Sequence, residues 1–108
     1  MAKWTKDGLL KATNLLEAAA LRQAIMPVCA CGHSAIFQPH GLWWHFERRH
    51  WDDSLGAVRK RFWCTRCQSA SRHKVTPQMV DLVSITEAAI VLPLPPDDVW
   101  KRVARRMR

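Results

Sequence analysis

Four cysteines stand in this 108-residue chain, and they come as two close pairs, Cys29-Ala30-Cys31 and Cys64-Thr65-Arg66-Cys67. Zinc takes four thiolate donors tetrahedrally at about 2.3 Å. Two cysteines one or two residues apart reach the same ion from one tight turn, and a second such turn closes the shell. Cys29, Cys31, Cys64 and Cys67 are therefore expected to hold one structural zinc ion, with no cysteine left over. Gly32 follows the first pair, where backbone amides approach sulfur closely and one residue must take positive φ. The same four residues suit an iron–sulfur cluster, and two pairs of ordinary buried thiols are the bland alternative. Redox chemistry at the C-x-x-C alone would leave Cys29 and Cys31 unexplained, and its usual βαβ surroundings are missing.

Five histidines compete as ligands: His33, His40, His45, His50 and His73. His33 directly follows the first pair, but four thiolates already fill a tetrahedron, so it is assigned a supporting place beside them. A filled shell has no position for water, which points to structure rather than catalysis. Little else in the chain suggests an enzyme. An HNH-type nuclease needs a histidine base and an Asn to orient it, yet Asn14 is the single Asn and falls within the first expected helix. His45 and His50 would stand about 140° apart around a helix. There is no Gly-rich phosphate loop, no G-x-S-x-G elbow, no H-E-x-x-H and no Tyr. The acid pairs Asp52-Asp53 and Asp97-Asp98 fall at apparent helix starts, where capping accounts for them. A non-enzymatic protein without a small-molecule substrate is expected.

Charge suggests the partner. Lys and Arg total 17 against 9 Asp and Glu, a formal net charge of +8 with pI near 10.1. A zinc ion on four thiolates contributes about −2 and leaves about +6, which suits a polyanion. From Ser54 to Val80 there is no acid at all, while Arg59, Lys60, Arg61, Arg66, Arg72 and Lys74 all fall there, around the second cysteine pair. Lys101, Arg102, Arg105, Arg106 and Arg108 add charge at the C-terminus. Trp63 and Trp100 interleave with these cations and would stack on bases if exposed. Nucleic acid is thus the expected partner. Against it stand a Trp63 packed over the cysteines, a C-terminal helix that is merely solvated, and cations that only neutralise the thiolates. The other function class is a protein-interaction module, an adaptor or inhibitor docking through the first helix and an exposed Trp patch.

The N-terminus is polar and lacks the apolar stretch of a signal peptide. The apolar run from Leu9 to Cys31 is broken by Lys11, Glu17 and Arg22, so no membrane span is expected. A cytoplasmic location follows, where paired cysteines are metal ligands more often than disulfides.

These groups need elements to position them. Leu9, Ala12, Leu16, Ala19 and Gln23 recur at helical spacing beside Leu15, Ala18 and Arg22, predicting a helix over 7–26, capped by Thr5 or Asp7 and stopped by Pro27. A short strand is expected over 34–38. Leu42, Trp43, Phe46 and His50, then Trp51, Leu55, Val58 and Phe62, predict helices over 39–51 and 54–62, the second capped by Asp52 or Asp53. The second stripe is expected to pack on Leu9, Leu16 and Ala19. Ser69 to Ser71 has turn composition, and a strand is expected over 72–75. Over 76–96 the residues leave helix and strand open, since Thr76-Pro77 can start a helix while Val80, Val83, Ile85, Ile90 and Val91 favour strands. After Pro93, Pro95 and Pro96 a basic helix begins at 97–98 and runs to 108, acids first and Arg last.

The stretch Cys29-Ala30-Cys31-Gly32-His33, the helical interval, and Arg61-Phe62-Trp63-Cys64-Thr65-Arg66-Cys67 resemble the zinc-ribbon pattern of small, mostly uncharacterised proteobacterial proteins. There a C-x-C-G-H knuckle precedes a basic segment ending in C-x-x-C-G. The likeness covers Cys29 to Val75, and Gln68 stands where that pattern has Gly. It implies a bacterial zinc fold and little about activity. The expected architecture is α+β and mainly helical: one small domain over 1–108, with an N-terminal helix, a zinc-ribbon-like four-cysteine region over 27–75 containing a helical insertion, short strands, and the basic C-terminal helix.

Overall fold

The computed structural model describes residues 3–4 and 10–106. Lys3–Trp4 (β1) pairs antiparallel with Leu10–Lys11 (β2). The chain then reaches Asn14, whose extended backbone and side-chain oxygen make it a helix N-cap: it accepts the Glu17 backbone N–H at 2.8 Å. Glu17 reaches back in turn, its carboxylate accepting the Thr13 backbone N–H at 3.2 Å and the Thr13 hydroxyl. Helix α1 is Leu15–Ala20, with Leu15, Ala18 and Ala19 buried.

This helix is far shorter than the 7–26 expected. Thr5, Asp7 and Leu9 lie outside the described residues, and so do the capping and packing roles expected of them. At the other end Arg22 takes a left-handed conformation, φ 57°, and stops the helix five residues before Pro27. Gln23–Val28 is a strand, β3, and Pro27 lies inside it rather than ending a helix. Gln23 fits the helical stripe, but Ile25 and Val28 are β-branched and the strand has a partner that local spacing cannot show. That partner is β4, Met79–Ser84, antiparallel with Gln23 opposite Ser84 and Val28 opposite Met79. The segment left open over 76–96 is therefore strand, then a short 3-10 turn at Ile85–Glu87, then extended chain.

The strand expected over 34–38 is reduced to isolated bridges. Phe37 lies along the free edge of β3, exchanging both backbone hydrogen bonds with Ile25 at 3.0 and 2.8 Å. No regular strand forms over 72–75, where Arg72 turns the chain at φ 61°.

The two central helices form as expected within a few residues. Helix α2 is Pro39–Arg48, entered through Gln38, whose side chain accepts the Gly41 backbone N–H at 2.9 Å. Helix α3 is Leu55–Arg61. His50, at φ 55°, separates them. Neither expected aspartate caps α3 by its side chain on the helix. Asp52 accepts the Ser54 N–H at 2.9 Å, just before α3. Asp53 serves α1 instead: its carbonyl accepts the Leu15 N–H at 3.0 Å and its carboxylate the Leu16 N–H at 3.2 Å. Helix α4 is Thr65–Ser71, so the residues expected as a turn are its last ones. Helix α5 is Asp97–Arg106, with Met107 and Arg108 outside the described residues.

One apolar cluster joins these elements: Leu15 and Ala18 of α1, Ile25 of β3, Leu42, Trp43 and Phe46 of α2 and Val58 of α3. Trp51, Leu55, Phe62 and Leu16 pack on its margin, as does Trp100. Trp100 docks α5 on α2, its ring edge-on to Trp43 at 5.5 Å and to His40 at 4.6 Å. The result is α+β and mainly helical, as expected, with five helices and two two-stranded sheets among the described residues.

Candidate metal centre

Cys29 is the first residue past β3. Its N–H donates to the His33 carbonyl at 2.9 Å, and the Gly32 N–H donates to the Cys29 carbonyl at 2.9 Å. Gly32 closes this turn at φ 93°, in the left-handed region that glycine enters without strain. The second pair is built differently. Cys64 is the N-cap of α4, its sulfur accepting the Cys67 N–H at 3.4 Å, and its own N–H donates to the Val75 carbonyl at 2.9 Å. Both sulfurs thus lie on one helix start. The turn continues as α-helix through the Gln68 N–H, bonded to the Cys64 carbonyl at 3.0 Å, so no glycine is needed at Gln68.

These two devices bring all four sulfurs together. Cys29 and Cys67 are 3.6 Å apart, Cys31 and Cys64 also 3.6 Å, and every ligand atom lies within 4.8 Å of the others. A tetrahedron with bonds of about 2.3 Å has edges of about 3.8 Å, whereas a disulfide needs about 2.05 Å. The cluster can hold a metal ion, and all four cysteines are free thiols. Cys29 and Cys64 are buried and Cys31 is exposed.

Charge at the sulfurs is divided unevenly. The His33 backbone N–H draws the Cys31 thiol down to about 7. Hydrogen bonding to Cys29, then to Cys31 and Cys64, pushes Cys67 up to about 12. Four thiolates at these separations repel one another, and a divalent cation at their centre removes that conflict.

Among the described residues no histidine joins the four sulfurs. His33 supports the first turn through its backbone. His40 packs on Trp100, and burial, with Arg22 nearby, lowers its pKa. His45 lies 5.7 Å from the Trp51 ring, its pKa lowered by burial and by Arg49 and Arg48.

The expected basic residues do not all stand free. The Arg59 guanidinium donates to the Pro77 carbonyl at 2.8 Å and ties α3 to the chain before β4. Arg61 lies over the Trp51 ring at 3.9 Å. Lys74 lies over the Trp63 ring at 4.4 Å. Lys60, Arg66 and Arg72 are exposed. On α5, Arg102 pairs loosely with Asp98 at 3.9 Å, and Lys101, Arg105 and Arg106 are exposed. The two expected stacking rings part company: Trp63 is 45% exposed, while Trp100 is occupied in docking α5.

The sequence reading missed a cleft of about 450 Å³ beside the sulfurs, walled by Ile36, Phe37, Phe62, Trp63 and Ile90. Its walls come from four separate stretches of chain, so no spacing in the sequence announces it. No helix among the described residues is long and apolar enough to cross a membrane. No family model matches the chain, and neither does any curated protein or solved structure.

Proposed function

We propose that the protein is a cytoplasmic, non-enzymatic, zinc-stabilised protein of the bacterial zinc-ribbon-like kind that binds nucleic acid through a basic face, as an accessory or regulatory factor. The metal reading is supported by two sulfur pairs 3.6 Å apart and by all four sulfurs lying within 4.8 Å of one another, which suits one small ion better than a multi-iron cluster that must fit several atoms between its thiolates. With four thiolates the ion has no open position, so its role is to hold the fold.

The observation that carries the partner is the setting of Lys60, Arg66 and Arg72. They are exposed on and around the helix that bears Cys64 and Cys67, in a run from 54 to 80 without a single carboxylate. Guanidinium and ammonium groups so placed suit phosphate oxygens. Arg59, Arg61 and Lys74 contribute charge while held by Pro77, Trp51 and Trp63, and Lys101, Arg102, Arg105 and Arg106 extend the field. The run carries +6 against the −2 of a zinc tetrathiolate, so about four phosphates would balance the surplus. Titrating labelled DNA and RNA with protein over rising salt tests this: the logarithm of affinity should fall with the logarithm of salt at a slope of about −3 to −4. Absence of binding at about 50 mM salt would set the reading aside.

A second reading, a protein-interaction module, is favoured by Val91 and Leu94, which are 60% and 55% exposed on the extended chain before α5. The first helix is not its docking face, because Leu15, Ala18 and Ala19 are buried in the core.

A further inference from the structure

The cleft beside the metal centre has a volume in the range of ligand pockets, about 300–1,000 Å³, and its chemistry is one-sided. Ile36, Phe37, Phe62 and Ile90 make it apolar, with the Phe37 and Phe62 rings 5.0 Å apart. His33, Ser34 and Thr65 supply a few polar groups. Not one Asp or Glu lines it. Trp63 forms part of the wall and remains 45% exposed, although it neighbours the buried ligand Cys64.

Two cations are tied to the lining. Lys74 Nζ lies 4.4 Å from the Trp63 ring centre, and the Arg59 guanidinium holds the carbonyl of Pro77, itself a lining residue. An occupant that satisfies both features must offer a flat face to aromatic rings and carry negative charge at its edge. An unpaired nucleotide has that combination. A base inside a duplex does not, because its faces are covered by its neighbours.

We propose that this cleft receives an unpaired base of a single-stranded nucleic acid against Trp63, with the adjoining phosphates on Lys74 and Arg59. The proposal rests on the nucleic-acid reading above and adds to it the strand type and the point of entry. Stacking on an aromatic ring tolerates every base, so the cleft selects single strands without selecting sequence.

The test uses the full-length, metal-loaded protein with two labelled probes, a thymidine oligomer of about 15 nucleotides and a duplex of equal length, at one fixed salt concentration. The variants are Trp63→Ala, Trp63→Phe and Ile90→Glu, each checked for metal content and for an unchanged thermal transition. Wild-type protein should prefer the single strand. Trp63→Ala and Ile90→Glu should each weaken single-strand binding about tenfold and leave duplex binding within about twofold, while Trp63→Phe should keep most of the single-strand affinity. If Trp63→Ala loses its metal, Ile90→Glu decides, since Ile90 is far in sequence from every ligand. Equal binding of both probes, unchanged in Ile90→Glu, overturns the cleft proposal and leaves the basic-face reading standing. No binding of either probe by the wild-type protein overturns both, and saturation of the cleft by an acidic aromatic peptide in the same assay assigns it to a protein partner instead.

Discussion

Gly41, in the first turn of α2, lies so close to Leu92 that a Cβ placed on it would overlap the Leu92 carbonyl oxygen and stand 3.0 Å from the carbonyl carbon. Two backbones meet there, with no side chain to give way. Gly56, in α3, has open space around the same position. Alanine should therefore have opposite effects at the two sites. Gly41→Ala should cost about 1–3 kcal/mol through forced separation of α2 from the 88–96 segment, whereas Gly56→Ala should stabilise by about 0.5–1 kcal/mol. Denaturant titration of the two variants checks the signs.

Removing the metal should unfold the protein. Ligation in small zinc proteins releases on the order of 10 kcal/mol, comparable to the whole stability of a domain, about 5–15 kcal/mol. Elemental analysis should find one zinc per chain, and a strong chelator should abolish the cooperative thermal transition. Cys64→Ser should be more damaging than Cys31→Ser, because Cys64 is buried and also caps α4. A transition unchanged by chelation would count against the structural role.

Asp53 gives the protein a pH dependence of defined sign. Burial raises its carboxyl above the ordinary value, partly opposed by the hydrogen bond from the Leu16 N–H. A raised folded pKa means that protonation favours the fold, so this contribution is full below the ordinary carboxylate range and is lost as pH rises through the raised value. Asp53→Asn retains an oxygen for Leu16 without the charge. Its stability relative to wild type should therefore be greater at pH 7 than at pH 5, measured on metal-loaded protein. A difference that grows as pH falls would contradict this.

The basic residues separate into two kinds, and charge reversal should show it. Lys60→Glu, Arg66→Glu and Arg72→Glu together should weaken nucleic-acid binding for all sequences about equally and leave stability nearly unchanged, since exposed charges contribute about 0–1 kcal/mol. Arg59→Glu should destabilise by about 1–3 kcal/mol, because it leaves the Pro77 carbonyl without its charged donor. Paired binding and unfolding measurements on each variant distinguish the two.

The sulfur site was legible in the sequence because both half-sites are local turns and their spacing is the signal. Helices α2 and α3 were legible because their apolar periodicity is uninterrupted and Pro39 marks the entry. The N-terminal helix was overextended for a physical reason. Ala19 and Gln23 keep a 3.6-residue rhythm across Arg22, and only the pairing of β3 with a strand some 50 residues later breaks it. Residues 76–96 were open for the converse reason, since β4 is defined by Gln23–Val28 and not by its own neighbours. Asp53 looked like a local cap and instead reaches back 37 residues to Leu16. The cleft depends on Phe37 bridging directly to Ile90 along the edge of β3, which no pattern within either stretch encodes.

The position of the two half-sites has a topological result. Cys29 and Cys31 precede α2, while Cys64 and Cys67 follow α3, so an ion held by all four would span the exposed bend around His50 and Asp52 that joins those helices. A peptide bond cut in that bend leaves residues 1–51 and 52–108 as separate chains, each carrying two of the four ligands and one of the paired strands β3 and β4. Such halves would make a split protein whose reassembly the ion gates: two polypeptides expected to find each other when metal is present and to part when it is taken away.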